Sequence, residues 1–511
     1  MGGGCGRGLV WSTRSSGAKV SYSGVKSTGD ERVLWVKELA ALRIWDARHS
    51  KTVRIEAGVV AALVLVFLLV AISSCQPVRP SAPGATVDTT PALTPAQAEM
   101  EARFPSVYAG EPDLRVRLKR RTGPMTIGLE SDPAADSGEQ LTIRTPGIAG
   151  VTLAGPVHVV ATSAGVVLRL GDAQGEPVFA ADAVADDAVL AIESADGVVR
   201  IGDVAYPARV LLVPATGGDA PAVDVVLEMP IERYLPRVLA AELYKGWPSG
   251  AYEAQSVAAR SYALHERARS RSRGRAWDVE STTADQAFSS APAGATSTDA
   301  VATTRGMVLR APEGGVLRAY YSSTCGGRDA SARDTFPTTK GFEYNRSTAL
   351  DAHPREHLCQ DAPRYTWSVR RDAATYATRL RAWGTQTGHP IKGLRTIAAI
   401  TPERRNALGR PVNYRVRDTS GEAFTIGAEN LRVASNARSG RQGRPSTKRR
   451  VHSNDMVHRL RGGTIEIGGR GFGHGVGLCQ YDAKAFAERG DTWQQMMQTF
   501  YPGAELIAAY E

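Results

Sequence analysis

From Asp113 to Met229 the chain repeats one grammar. Short runs of alternating or β-branched apolar residues (LRVRLKR, LTIRT, VHVVAT, VVLRLG, ARVLLVP, VDVVLEM) stand between Gly, Asp and Pro. Period-two patterns bounded by turn residues predict strands. After Pro248 the pattern changes to GAYEAQSVAARSYALHERARS, which predicts a helix. Ser249 suits its N-cap, and Glu253 suits the positive end of the helix dipole. Ala254, Ala258 and Ala259 would let that helix pack closely. Further strands are expected over 316–323, 394–426 and 464–468, a basic Gly/Ser/Arg-rich loop over 434–450, and a last helix near 480–489. No internal repeat is visible. The pattern predicts an α+β fold within 111–511, with a β-rich front half (111–230) followed by a mixed α/β region (231–511) that bears the candidate chemistry.

Ahead of this lies an uninterrupted apolar run, AGVVAALVLVFLLVAI at 57–72, preceded by Lys51 and Arg54. Extended to Ser74 it approaches the ~20 residues that span a bilayer. Positive residues on its N-terminal side keep that side cytoplasmic. The run ends Ile72-Ser73-Ser74-Cys75, which resembles a bacterial lipobox, with Cys75 the residue to be lipidated. Two readings stand. Residues 55–75 are a transmembrane anchor behind a cytoplasmic tail (1–54), or a lipoprotein signal behind an artefactual upstream stretch. Within the tail, 1–32 reads as disordered and 33–47 as an amphipathic helix on the membrane surface. Residues 76–110 read as a proline-stiffened linker. Both readings put the remainder outside the cytoplasmic membrane, facing periplasm or exterior.

Composition narrows the partners. The 511 residues are 42% apolar and 22% charged, values of a globular chain. The net charge of +10 invites a nucleic-acid reading, but the basicity is local. Residues 1–54 hold ten Lys/Arg against four Asp/Glu, and 434–461 hold eight against one. What remains is mildly acidic, so no broad nucleic-acid face is expected. Five cysteines are too few for a disulfide scaffold.

Candidate chemistry falls in three places. Glu242, in YLPRVLAAELYKGWP, follows an apolar stretch and precedes Trp247-Pro248. A carboxyl desolvated there would keep its proton near neutral pH. Gly469 to Gly477 reads GRGFGHGVG. Alternate glycines let backbone approach a ligand, or make a tight turn around a core histidine, and His474 is the group titrating near neutrality. No Gly-Lys-Ser/Thr follows, so this is no phosphate loop. Cys325, in STCGG, has no base nearby in sequence; in an oxidising compartment it is expected to pair with Cys359, leaving Cys479 a buried free thiol. His353 and His357 are separated by Pro354, which spoils a helical metal pair.

Four blocks in one order resemble the SpoIID/LytB family of bacterial cell-wall proteins. They are Tyr234-Leu235 through Glu242 to Trp247-Pro248, the helix segment EAQSVAARSYA at 253–263, YSSTCGG at 321–327, and GRGFGHGVGLCQYDA at 469–483 closing with FYPG at 500–503. The resemblance covers roughly 110 to 511. It implies action on peptidoglycan, as a lytic transglycosylase cutting peptide-stripped glycan strands with 1,6-anhydro-muramic ends, and it places the essential carboxylate on Glu242. Gln255, Arg260, Gln286, Arg470 and His474 are the expected substrate-binding or orienting residues. The alternative is a non-catalytic glycan binder that enhances a cell-wall amidase. Some members hold zinc through a segment like DVCDTTHCQ. Here Glu280, Ala284 and Asp285 stand at its Cys, His and Cys positions, so no metal and no cofactor are expected there.

Overall fold

The computed structural model describes residues 93–128, 140–145, 148–162, 165–170, 177–182, 190–215, 220–440 and 443–511, plus an antiparallel pair, Ile44–Trp45 with Thr52–Val53. The apolar run at 57–72 and Cys75 lie outside the described residues. Ile44–Trp45 is extended where the sequence suggested the end of a helix. Among the described residues no helix is long and apolar enough to cross a membrane. The chain divides into two compact units, Met1–Pro91 and Ala92–Glu511.

The larger unit is α+β. Helices of eight or more residues are α1 (Pro95–Arg103), α2 (Ile231–Glu242), α3 (Ser249–Arg271), α4 (Ala295–Thr303), α5 (Ala373–Thr387), α6 (Ala428–Ser435), α7 (Gln480–Arg489) and α8 (Trp493–Phe500). Helix α1 lies in the stretch read as linker. Thr94 and Gln97 close a capping box around Pro95, Gln97 Nε2 donates to Pro312 O at 3.0 Å, and Gly315 N donates to Glu101 at 2.9 Å. Phe104 just beyond it is buried against the His265 ring. Residues 94–104 are therefore part of the body, because they bury a side chain and exchange hydrogen bonds with it.

The front half forms six strands of a seven-stranded sheet, completed by Val279–Glu280, and a six-stranded sheet, over one apolar core. Strand Ala222–Pro230 is buried along nearly its whole length, paired on one side with Arg209–Ala215 and on the other with Asp113–Arg121. A strand covered on both faces reads as a continuous apolar run, as VDVVLEM does. It leads directly into α2. Helix α3 is buried nearly all round and packs against α2, α4, α7 and α8, which its alanines permit. Its N-cap is Pro248 rather than Ser249, with no side-chain cap bond.

Residues 366–470 build a separate apolar cluster. Two three-stranded sheets, Thr366–Asp372/Thr464–Arg470/Asp455–Arg461 and Ile397–Arg405/Pro411–Asp418/Ala423–Gly427, enclose it with α5 and α6. The segment stands between the third and fourth blocks. They nevertheless meet: Tyr321–Ser322 pairs in parallel with Leu478–Cys479, and Thr324 bridges Phe472.

Candidate active site

Glu242 is the last residue of α2. Leu243 is extended (φ −114°, ψ 154°), Gly246 takes φ 88°, and Pro248 precedes α3, so the helix must stop at the carboxylate. The negative end of the helix dipole thus faces the side chain and favours its neutral form. Glu242 Oε1 accepts from Ala287 N at 2.9 Å, and Oε2 accepts from Gln480 Nε2 at 3.4 Å. Burial pushes its pKa above the usual carboxylate range, against these two hydrogen bonds, which lower it. No cation is among the groups that set its protonation, and among the described residues it forms no ion pair. A neutral carboxylic acid held by uncharged donors can protonate a leaving oxygen.

The surroundings are amides and phenols. Gln480 Nε2 also reaches Gln255 Oε1 at 3.5 Å, and the buried amide nitrogen of Gln255 has no hydrogen-bond partner. Gln286, fully buried, accepts from the Tyr234 hydroxyl at 3.1 Å and donates to Tyr321 Oη at 3.1 Å. Burial raises both phenols well above the usual range. On residues that follow Glu242 and Gln480 in the chain three rings meet: Trp247 lies edge-on to Tyr481 at 4.9 Å and tilted to Tyr244 at 5.6 Å, and Tyr244 is 62% exposed.

Of the residues singled out in the sequence, Gln255 lies against Gln480 and Gln286 stands next to Ala287, whereas the others make their contacts elsewhere. Arg260 is fully buried and turned away, its Nε and Nη2 each 2.9 Å from the Glu232 carboxylate and its Nη1 donating to Met307 O. It cannot orient Glu242 while bound there. Arg470 donates to Tyr365 Oη at 2.9 Å and stacks on that ring. His474 packs edge-on against Tyr320 and Phe336; its Nδ1 accepts from Val476 N at 3.0 Å. Burial lowers its pKa to about 4, so it is neutral near pH 7.

The glycine turn explains this. Gly471, Gly473, Gly475 and Gly477 all have positive φ; a Cβ on Gly471, Gly473 or Gly477 would strike residues 320–325, at Gly477 only 2.2 Å from Tyr320 O, and one on Gly475 would strike the Arg410 guanidinium. Three of these glycines serve close packing of the fourth block on the third, and Gly475 makes room for Arg410. Their product is the position of Gln480 and Tyr481, two residues sequence reasoning passed over. The signal was their place immediately after the turn, in LCQYDA. Where some relatives would carry zinc ligands, Glu280 pairs with Arg117 at 2.6 Å and Asp285 Oδ1 accepts from Tyr262 Oη at 3.3 Å.

Residues 220–310, which hold the buried strand Ala222–Pro230, α2 with Glu242, α3 and α4, match the family model described as Stage II sporulation protein, SpoIID. Over this stretch the chain is similar to the SpoIID family. It is similar to an uncharacterised protein of Brachyspira hyodysenteriae, 25% identical over 327 residues, covering 62% of this chain and 76% of that one. An amidase enhancer of Bacillus subtilis is 24% identical over 303 residues, 54% of this chain and 40% of the relative. Stage II sporulation protein D of Bacillus amyloliquefaciens is 34% identical over 121 residues, 23% of this chain and 34% of the relative. The chain therefore spans well under two thirds of the two named relatives, and the most similar of these stretches is short.

Proposed function

We propose that the chain acts on the bacterial cell wall as a peptidoglycan lytic transglycosylase, with Glu242 as its acid. The observation that carries this reading is the Glu242 carboxyl itself: raised by burial, at a helix C-terminus, held by Ala287 N and Gln480 with no cation beside it. Glu242 gives its proton to the glycosidic oxygen leaving muramic C1. The same carboxylate then takes the proton of the sugar's 6-hydroxyl as that oxygen closes on C1, leaving a 1,6-anhydro end and Glu242 protonated again. One carboxyl serves both steps, in contrast to the paired carboxylates of glycoside hydrolysis. The Tyr244–Trp247–Tyr481 rings offer apolar faces for sugar rings, and the unpartnered Gln255 amide offers a donor.

Incubation of the purified chain with peptide-stripped glycan strands tests this. Anhydro-ended products should form with the wild-type protein and vanish in Glu242→Gln. Strand retention without cleavage by both proteins would instead favour the second reading, a glycan-binding enhancer of an amidase, which the name of the Bacillus subtilis relative motivates.

A further inference from the structure

Three cysteines from distant segments converge, and none of them touches the Glu242 carboxyl. Cys325 sits in the turn after Tyr321–Ser322, Cys359 opens a short 3₁₀ turn, and Cys479 ends the strand that leads into α7. All three are buried and unbonded. Their sulfurs and an oxygen of Asp482, in the first turn of α7, lie within 4.8 Å of one another. Cys325 Sγ is 3.6 Å from Cys359 Sγ and 3.6 Å from Asp482 Oδ2.

These separations suit a tetrahedron. Zinc bonds of about 2.3 Å to sulfur and about 2.0–2.2 Å to oxygen give edges of roughly 3.5–3.8 Å at the tetrahedral angle. Charge points the same way. Asp482 and Asp329 are both buried, and both lean on Arg355, whose Nη1 is 2.8 Å from Asp482 and whose Nε is 2.7 Å from Asp329. One guanidinium between two carboxylates leaves a buried negative excess, which thiol ionisation would deepen and a divalent cation would offset.

We propose that Cys325, Cys359 and Cys479, closed by Asp482, form a structural zinc site. Each thiol releases its proton to solvent on coordination. His357 Nδ1, 3.4 Å from Cys325 Sγ, and Arg355 Nη2, 3.8 Å from it, support that sulfur from outside the coordination shell. The site fastens the start of α7, one residue from Gln480, to the third block. It uses none of the positions 280, 284 and 285. It replaces both the Cys325–Cys359 disulfide and the absence of metal expected from the sequence, and it is independent of the reaction assigned to Glu242.

The full-length chain, purified with a mild thiol reductant and no chelator, should carry one zinc per chain by elemental mass spectrometry. After zinc is stripped, cobalt(II) should give the visible bands of a tetrahedral centre together with thiolate-to-cobalt charge transfer. Cys359→Ser and Cys479→Ser should each lose most of the bound metal, and Asp482→Asn should move the visible bands. A wild-type chain that takes up neither zinc nor cobalt overturns the proposal. So does a metal-free chain whose intact mass is lower by two hydrogens, with Cys325 joined to Cys359. Should the serine variants fail to fold, the wild-type cobalt spectrum decides alone.

Discussion

At Glu242, burial and the helix end push the carboxyl pKa up while Ala287 N and Gln480 pull it down. In the proposed reaction, turnover by the acid form should persist above the usual carboxylate range and fall as pH rises through the raised pKa. Gln480→Leu removes a donor that favours the charged form, so the alkaline limb of kcat/KM on stripped strands should move to higher pH. A limb that moves down would mean Gln480 holds the neutral acid instead. Arg260 makes the contrasting case. Its partner Glu232 is 9% exposed and also accepts from Tyr510 Oη at 2.5 Å. Arg260→Met strands that carboxylate and should cost about 3–5 kcal/mol in urea unfolding, with the Glu242 limb unmoved. A shifted limb would restore an orienting role to Arg260. In the sequence both are charged residues near one helix pair. Only the strand–helix geometry decides which stands alone and which is paired.

At the scale of elements, the strands of the front half and helix α3 were legible, because period-two runs and a small-residue helix keep their own signatures. Helix α2 was not. It carries Pro236 inside and ends in Leu-Tyr-Lys-Gly-Trp-Pro, so its local signals are those of a turn. The buried strand before it and α3 beside it override them. The glycine turn was visible as unusual, but its alternation fitted both an approach to a ligand and a tight turn around a core histidine. Its partner, Tyr320 to Cys325, lies about 150 residues away, and no local pattern reveals it. Gly477→Ala tests this role against Gly490→Ala. Both positions have positive φ (67° and 98°), but a Cβ at 490 meets nothing within 4 Å, whereas at 477 it meets Tyr320 O. Gly490→Ala should cost about 1 kcal/mol, the backbone strain alone. Gly477→Ala should cost several-fold more in urea unfolding and also lower activity by displacing Gln480. Equal costs would show that the turn can move away from the third block without loss.

At the scale of the molecule, the cluster over 366–470 was read from sequence only as scattered strands, since helices α5 and α6 and the chain's return to one core depend on contacts far apart in sequence. That core and its neighbours hold histidines that resist protonation. Burial lowers His265, His452 and His474 to about 4 and His458 to about 3. In the unfolded chain such groups take protons near pH 6.5. Between there and about pH 4 the unfolded state binds protons that the folded state refuses, so stability falls as pH falls. Each histidine contributes a slope of up to about 1.4 kcal/mol per pH unit. The raised carboxyls of Glu242 and Asp285 act in the opposite sense, since the folded state protonates them first. His458 allows the cleanest test. Its Nδ1 is buried without a partner, and Tyr376 Oη, 3.3 Å from its Nε2, also bonds Ser435 Oγ at 2.6 Å. His458→Phe keeps a ring beside Tyr376 and Tyr414 and removes one titration. Urea unfolding across pH 4–7 should then give a shallower acid slope with nearly unchanged stability at pH 7. An unchanged slope would mean that His458 accepts its proton in the folded state, through an opening of the core that the packed rings oppose.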